Sequence, residues 1–172
     1  PYLFRTRFGI EGSFQLDKQD TSFLTMNLHV GVPYAFLNNS FIQPYFDYTS
    51  SNVLNPQLID FASDSGYIDY QKTLYGLRVQ FRKLDYLFNP HKGIDICADL
   101  SAGFRNILPN SHIDESYYDG LVRHKTTYRL SGDIRGYIPI GKHFVMVPRI
   151  QAGSLLAGPH YYNELFKIGG ED

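Results

Sequence analysis

Apolar and polar residues alternate with a period of two along most of this chain. In residues 4–16, Phe4, Phe8, Ile10, Phe14 and Leu16 hold even positions, while Arg5, Arg7, Glu11, Ser13 and Gln15 hold odd ones. An extended backbone sends successive side chains to opposite faces, so such a pattern sorts a strand into one apolar and one polar face, which a helix cannot do. The pattern returns at Leu24, Met26, Leu28, Val30, Val32, Tyr34 and Phe36, then at Ile42, Phe46 and Tyr48. It resumes at Thr73, Tyr75, Leu77, Val79 and Phe81, and again at Ile94, Ile96, Ala98, Leu100, Ala102 and Phe104. Two further rows, Tyr128 to Ile140 and Phe144 to Leu156, complete seven expected strands. The opposite rows carry Arg78, Arg82, Asp95, Asp99, Arg129, Asp133, Arg135 and Arg149.

Strand length and connection length narrow the architecture. The alternating segments run to about 12–15 residues, against about 5–6 for ordinary soluble strands. Residues 17–21 and 38–40 read as turns, 50–70 and 106–124 as long polar loops, 84–93 as an intermediate turn and Gly141-Lys142 as a tight one. Short turns at one end and long loops at the other, with half-apolar strands, mark a transmembrane β-barrel, its apolar rows toward lipid and its charged rows inward. A soluble sandwich is the competing fold. Pro44 and Pro148 fall inside strands, where a missing ladder donor predicts a bulge.

Composition agrees with an all-β chain: Tyr 14, Phe 13 and Gly 15 among 172 residues, with Trp 0. The formal charge of -1 gives no basic excess for nucleic acid. A single cysteine, Cys97, leaves no internal disulfide framework and no cysteine-based zinc cluster. No apolar run approaches the roughly 18 residues of a transmembrane helix, a test that barrel strands escape. The expected fold is therefore an all-β, antiparallel up-and-down meander of about seven strands. Seven is odd and below the usual minimum of about eight, and open edges are not viable in lipid, so residues 1–172 read as an incomplete barrel domain.

Two motifs carry a family likeness. Leu84-Asp85-Tyr86-Leu87-Phe88-Asn89-Pro90-His91-Lys92-Gly93 resembles a turn of the BamA/TamA family of outer-membrane barrels, the bacterial surface antigen domain. Glu164-Leu165-Phe166-Lys167-Ile168-Gly169-Gly170 is similar to the lead-in to that family's long sixth extracellular loop, and Tyr137-Ile138-Pro139-Ile140 to the hairpin before it. The likeness is best from Thr73 to Asp172 and implies the fifth through eleventh of sixteen strands. It puts the 85–93 turn in the periplasm and the long loops outside. The Arg-Gly-Phe loop tip, the seam strands and the periplasmic modules of such proteins are not within this sequence.

The resemblance implies insertion or translocation of other proteins at the bacterial outer membrane, without catalysis or cofactor. Its partners would be outer-membrane lipid, unfolded outer-membrane protein substrates and accessory lipoproteins. Two other functions fit such a wall: the membrane anchor of a lipase- or phosphoesterase-fused enzyme, and a passive pore. As candidate residues, Asp85, Pro90 and Gly93 have the chemistry of a turn: a side-chain acceptor, a fixed φ and a permitted positive φ. Gly169 and Gly170 suit a hinge at a loop root, with Phe166 and Ile168 wedged beneath it. The six histidines (His29, His91, His112, His124, His143 and His160) lack ligand spacing such as H-x-x-x-H, and no G-x-S-x-G motif occurs. No metal site is expected. Asp114-Glu115 reads as a solvated loop pair, and Asn38-Asn39-Ser40 as a turn that happens to match a glycosylation sequon.

Overall fold

The computed structural model describes residues 7–19, 23–37, 39–55, 68–110, 122–141 and 143–156. Within them the chain is all-β, without a helix. The strands are β1 (Glu11–Gln19), β2 (Phe23–Gly31), β3 (Tyr34–Leu37), β4 (Ser40–Val53), β5 (Tyr70–Leu84), β6 (Gly93–Ile107), β7 (His124–Ile140), β8 (Phe144–Met146) and β9 (Arg149–Leu156). They form one antiparallel sheet in the order β1-β2-β4-β5-β6-β7, with β3 also on β4 and both β8 and β9 on β7. Each long strand pairs with its sequence neighbour, so the sheet is a meander, and it is not closed.

Nine strands are the seven expected ones with two interruptions, and prolines make both. Gly31 faces Tyr45 and Tyr34 faces Ile42, the same step along both strands, so β2 and β3 share one register across Val32-Pro33. Met146 opposite Ile138 and Arg149 opposite Arg135 show the same for β8 and β9 across Val147-Pro148. The bulges expected at Pro44 and Pro148 are therefore not formed. In an antiparallel pair a residue's N–H and C=O point to the same neighbour. Val32 N–H donates to the Pro44 carbonyl at 3.0 Å, and Gly136 N–H to that of Pro148 at 3.0 Å. Each proline thus loses its donor on that one side only, and Pro44 still faces Leu77 in unbroken pairing with β5. The register shift in this region lies elsewhere, between Ala35 and Leu37.

Strand ends extend further than the apolar rows suggested. Residues 17–19, expected as turn, belong to β1, with Asp17 opposite Thr25. Ser50, Ser51, Asn52 and Val53, expected as loop, finish β4, and Asn106 and Ile107 finish β6. Tyr70 opens β5 opposite both Ser51 and Ile107. Backbone pairing continues past the point where apolar alternation stops.

Burial is inverted relative to a water-soluble sheet. On the apolar face Phe14 is 65 % exposed, Leu100 58 %, Leu130 51 % and Ile150 69 %. On the polar face Gln43 and Ser51 are 0 % exposed, Ser101 and Thr127 1 %, Arg105 2 % and Asp99 6 %. Curvature is the cause. Strands β4 and β7 are separated by β5 and β6, about 14 Å of sheet at ~4.8 Å per strand. Yet Arg129 of β7 reaches Asp47 of β4 at 3.1 Å, so the sheet curls around its polar face. Along β6 the apolar row from Ile94 to Phe104 covers about 34 Å of strand, or about 26 Å at a tilt of ~40°, close to the ~25 Å apolar band of outer-membrane barrels.

The concave face changes character at the end where the β4–β5 and β6–β7 connections lie. There Phe23, Val53, Ile68, Tyr70, Leu74 and Ile107 are buried together. Asp69, 6 % exposed, fastens this end: its carboxylate accepts the Val53 N–H and, at 2.7 Å, the Asn110 amide, while its carbonyl accepts the Leu108 N–H at 2.9 Å.

Candidate functional site

Sheet register assembles the central polar cluster of the concave face. Tyr45 faces Gly76, Gly76 faces Ser101, and Ser101 faces Arg129, one row across β4, β5, β6 and β7. Glycine at position 76 is required by packing, because a Cβ there would lie 2.1 Å from the Tyr45 ring. The ring lies across that gap toward β6. Its hydroxyl donates to Asp99 Oδ1 and accepts from Arg129 at 3.1 Å. Arg129 also donates to Asp47 Oδ2 at 3.1 Å and stands 3.8 Å from Asp99. Arg78 donates to the other Asp99 oxygen at 3.1 Å, with its guanidinium 5.4 Å from the Tyr45 ring centroid. His29 Nδ1 hydrogen-bonds Asp47 Oδ1 and completes the chain of contacts across β2, β4, β5, β6 and β7.

Toward the opposite end the pairs become more local. Arg82 and Gln80 both donate to Asp95, at 3.1 and 3.0 Å, across the β5–β6 ladder. Asp133 accepts from Arg135 at 2.9 Å and from Arg149 at 2.7 Å, joining β7 to β9. Arg82, Asp95, Cys97, Asp133 and Arg135, with Gln80, line a cavity of about 210 Å³. Each of these carboxylates faces a guanidinium, the arrangement that offsets the cost of removing charge from water. Among the described residues no group of three or more His, Cys, Asp or Glu is gathered as for a metal ion.

The turn at residues 85–93 brings Asp85, Pro90 and Gly93 together as one structure. Asp85 Oδ1 accepts three backbone N–H groups, from Tyr86 at 2.9 Å and from His91 and Lys92 at 3.0 Å. Asp85 N–H donates to the Lys92 carbonyl at 3.0 Å and shuts the loop. These donations, that of Lys92 foremost, hold the exposed Asp85 carboxyl below the usual carboxylate range. Asn89, before Pro90, has φ 61°, a conformation asparagine tolerates. Gly93 has φ 136°, and a Cβ there would lie 2.1 Å from the Lys83 carbonyl oxygen. Phe166, Ile168, Gly169 and Gly170 lie outside the described residues.

The alternation places Asp99 and Arg129 on the polar rows but does not join them, and it passes over Tyr45, their hub. The signal was Gly76: a glycine in mid-strand marks a close approach, here by an aromatic ring from the next strand. Comparison with family models, with curated proteins and with solved structures finds no match for this chain.

Proposed function

We propose that this chain is part of the wall of a transmembrane β-barrel in a bacterial outer membrane, of BamA/TamA type, that assists insertion of other β-barrel proteins. The observation that carries the membrane part is the inverted burial: charged and polar side chains inside the curve, and Phe14, Leu100, Leu130 and Ile150 outside it. Water would penalise that convex face by about 25 cal/mol for each Å² of apolar surface left exposed, whereas lipid tails would not. The meander, the height of the apolar band and the resemblance of the 85–93 turn support the barrel and the family. In this function the chain does no covalent chemistry. The barrel loosens the bilayer locally and offers strand edges on which a substrate strand can pair by β-augmentation.

Depletion of the protein in its native host tests the assembly role. Folded β-barrel proteins in the outer membrane should fall while lipoproteins and inner-membrane proteins hold steady. Unchanged barrel-protein levels after depletion would refute assembly and leave the anchor or pore functions.

A further inference from the structure

We propose that the turn at residues 85–93 is an interfacial membrane anchor. Its Tyr86-Leu87-Phe88 tip sits at the boundary of headgroups and acyl chains, and Lys83 and Lys92 lie against anionic phospholipid headgroups. The proposal rests on the membrane-spanning function above and adds a specific lipid contact to it.

Three observations converge on this turn. First, the tip is apolar and uncovered: Phe88 is 88 % exposed, Tyr86 65 % and Leu87 47 %. Second, the tip is held out by construction. Asp85 ties down the N–H groups of Tyr86, His91 and Lys92, and the Tyr86 ring meets His91 edge-on at 6.3 Å, so the chain between them is presented in a fixed shape. A fixed apolar tip is a contact surface in want of an apolar neighbour.

Third, charge and continuity choose the neighbour. The Asp85 carboxylate keeps its charge while it accepts the backbone donors, but Lys83 and Lys92 outnumber it and leave the turn net positive. Lys83 follows Val79 and Phe81 on the convex row of β5, opposite Ile94, where a lysine stem can lie along apolar surface with its ammonium at the headgroups. The neighbouring turns at the same end continue the belt, with Leu37 56 %, Ile140 52 % and Phe144 74 % exposed. Aromatic residues gather at this level in outer-membrane barrels, where their rings suit a half-polar layer. Paired lysines add affinity for anionic lipid, roughly five-fold each at the surface.

The 172-residue sequence contains no tryptophan, so Phe88→Trp adds the one indole of this segment. The protein is reconstituted in phosphatidylethanolamine–phosphatidylglycerol vesicles carrying lipids brominated either near the headgroup or near the chain end. Leu100→Trp, in the middle of the convex face, is the reference. The F88W emission should be blue-shifted, quenched most by shallow bromines, and quenched more by brominated phosphatidylglycerol than by brominated phosphatidylcholine. Lys83→Gln with Lys92→Gln should abolish that headgroup preference, and a preference that survives would refute the role of the lysines. An F88W emission that is red and unquenched places the tip in water and overturns the proposal. Emission that is blue but unquenched means protein covers the tip, and overturns it too. If L100W is quenched by deep bromines in either case, the barrel stands and only the anchor fails. If L100W is unquenched as well, the spanning function itself falls.

Discussion

Truncation of Arg129 probes the contacts by which β7 reaches β4 across the concave face. Arg129→Ala removes a donor that Asp47 and Tyr45 each receive at 3.1 Å. Two unit charges at that distance interact by about 1 kcal/mol in bulk water and about 5 kcal/mol at an effective dielectric of ~20. The Arg129 side chain is 27 % exposed and that of Asp47 19 %, between those limits. After truncation Asp99 keeps Arg78 and Tyr45, but Asp47 keeps only His29 among its contacts in this cluster. The expected loss is about 2–4 kcal/mol, at or below the ~3–5 kcal/mol of a fully buried pair.

The assay is urea unfolding of the vesicle-inserted protein, followed by the loss of the compact band in unheated gels. Arg129→Ala, Asp47→Asn and the double variant form a cycle, with an expected coupling of about 1–2 kcal/mol. Arg129→Lys should rescue less than half of the loss, because the lysine ammonium sits closer to the backbone than Arg129 Nη2, which donates to both Asp47 and Tyr45. A cost for Arg129→Ala below about 0.5 kcal/mol, or additivity within ~0.3–0.5 kcal/mol, would refute the convergence of β4 and β7.

Two further perturbations test the faces and the turn. Leu100→Arg puts a cation at mid-height of the convex face and should cost about 2–4 kcal/mol in the same unfolding assay; on a water-facing surface it would be neutral. Asp85→Asn removes the charge that gathers the backbone donors of the turn, so amide exchange at His91 and Lys92 should accelerate while β5–β6 protection stays. Acid should do the same to the parent protein. The Asp85 pKa is depressed on folding, so its contribution is present above the unfolded carboxyl pKa and is lost as pH falls through the folded value. Turn protection that is flat through that window would exclude Asp85 as the organiser.

Alternation made the faces legible from the sequence, because a period of two leaves no freedom in which residues share a side. Leu100 and Leu130, or Asp99 and Ser131, had to be neighbours in kind once register was set. Strand ends were less legible. Ser50, Ser51 and Asn52 pair as well as any residues of β4, but backbone pairing has no hydrophobic signature where the apolar band has ended. The prolines misled in a different way. A missing donor predicts a defect, but not that Pro44 would turn its lost N–H toward Val32 and leave the β5 ladder whole. The Tyr45–Asp99–Arg129 contact left no trace in the sequence but Gly76, since it depends on curvature that brings Tyr45 of β4 to side chains of β6 and β7, with which β4 does not pair. The turn was legible residue by residue, as Asp85 and Gly93 show, whereas its exposed apolar tip became meaningful only once the shape of the loop was known.

The inverted wall can be tested along one strand. In a Cys97→Ser background, single cysteines at Asp95, Ile96, Ala98, Leu100, Ser101, Ala102 and Phe104 are spin-labelled in the vesicle-reconstituted protein. Collision rates are then read with oxygen, which concentrates in lipid, and with a water-soluble nickel complex. The expected pattern is a period of two: high oxygen and low nickel contact at 96, 98, 100, 102 and 104, and little oxygen contact at 95 and 101. High nickel contact at Leu100 and its even-numbered neighbours, or no alternation along β6, would contradict a lipid-facing convex surface.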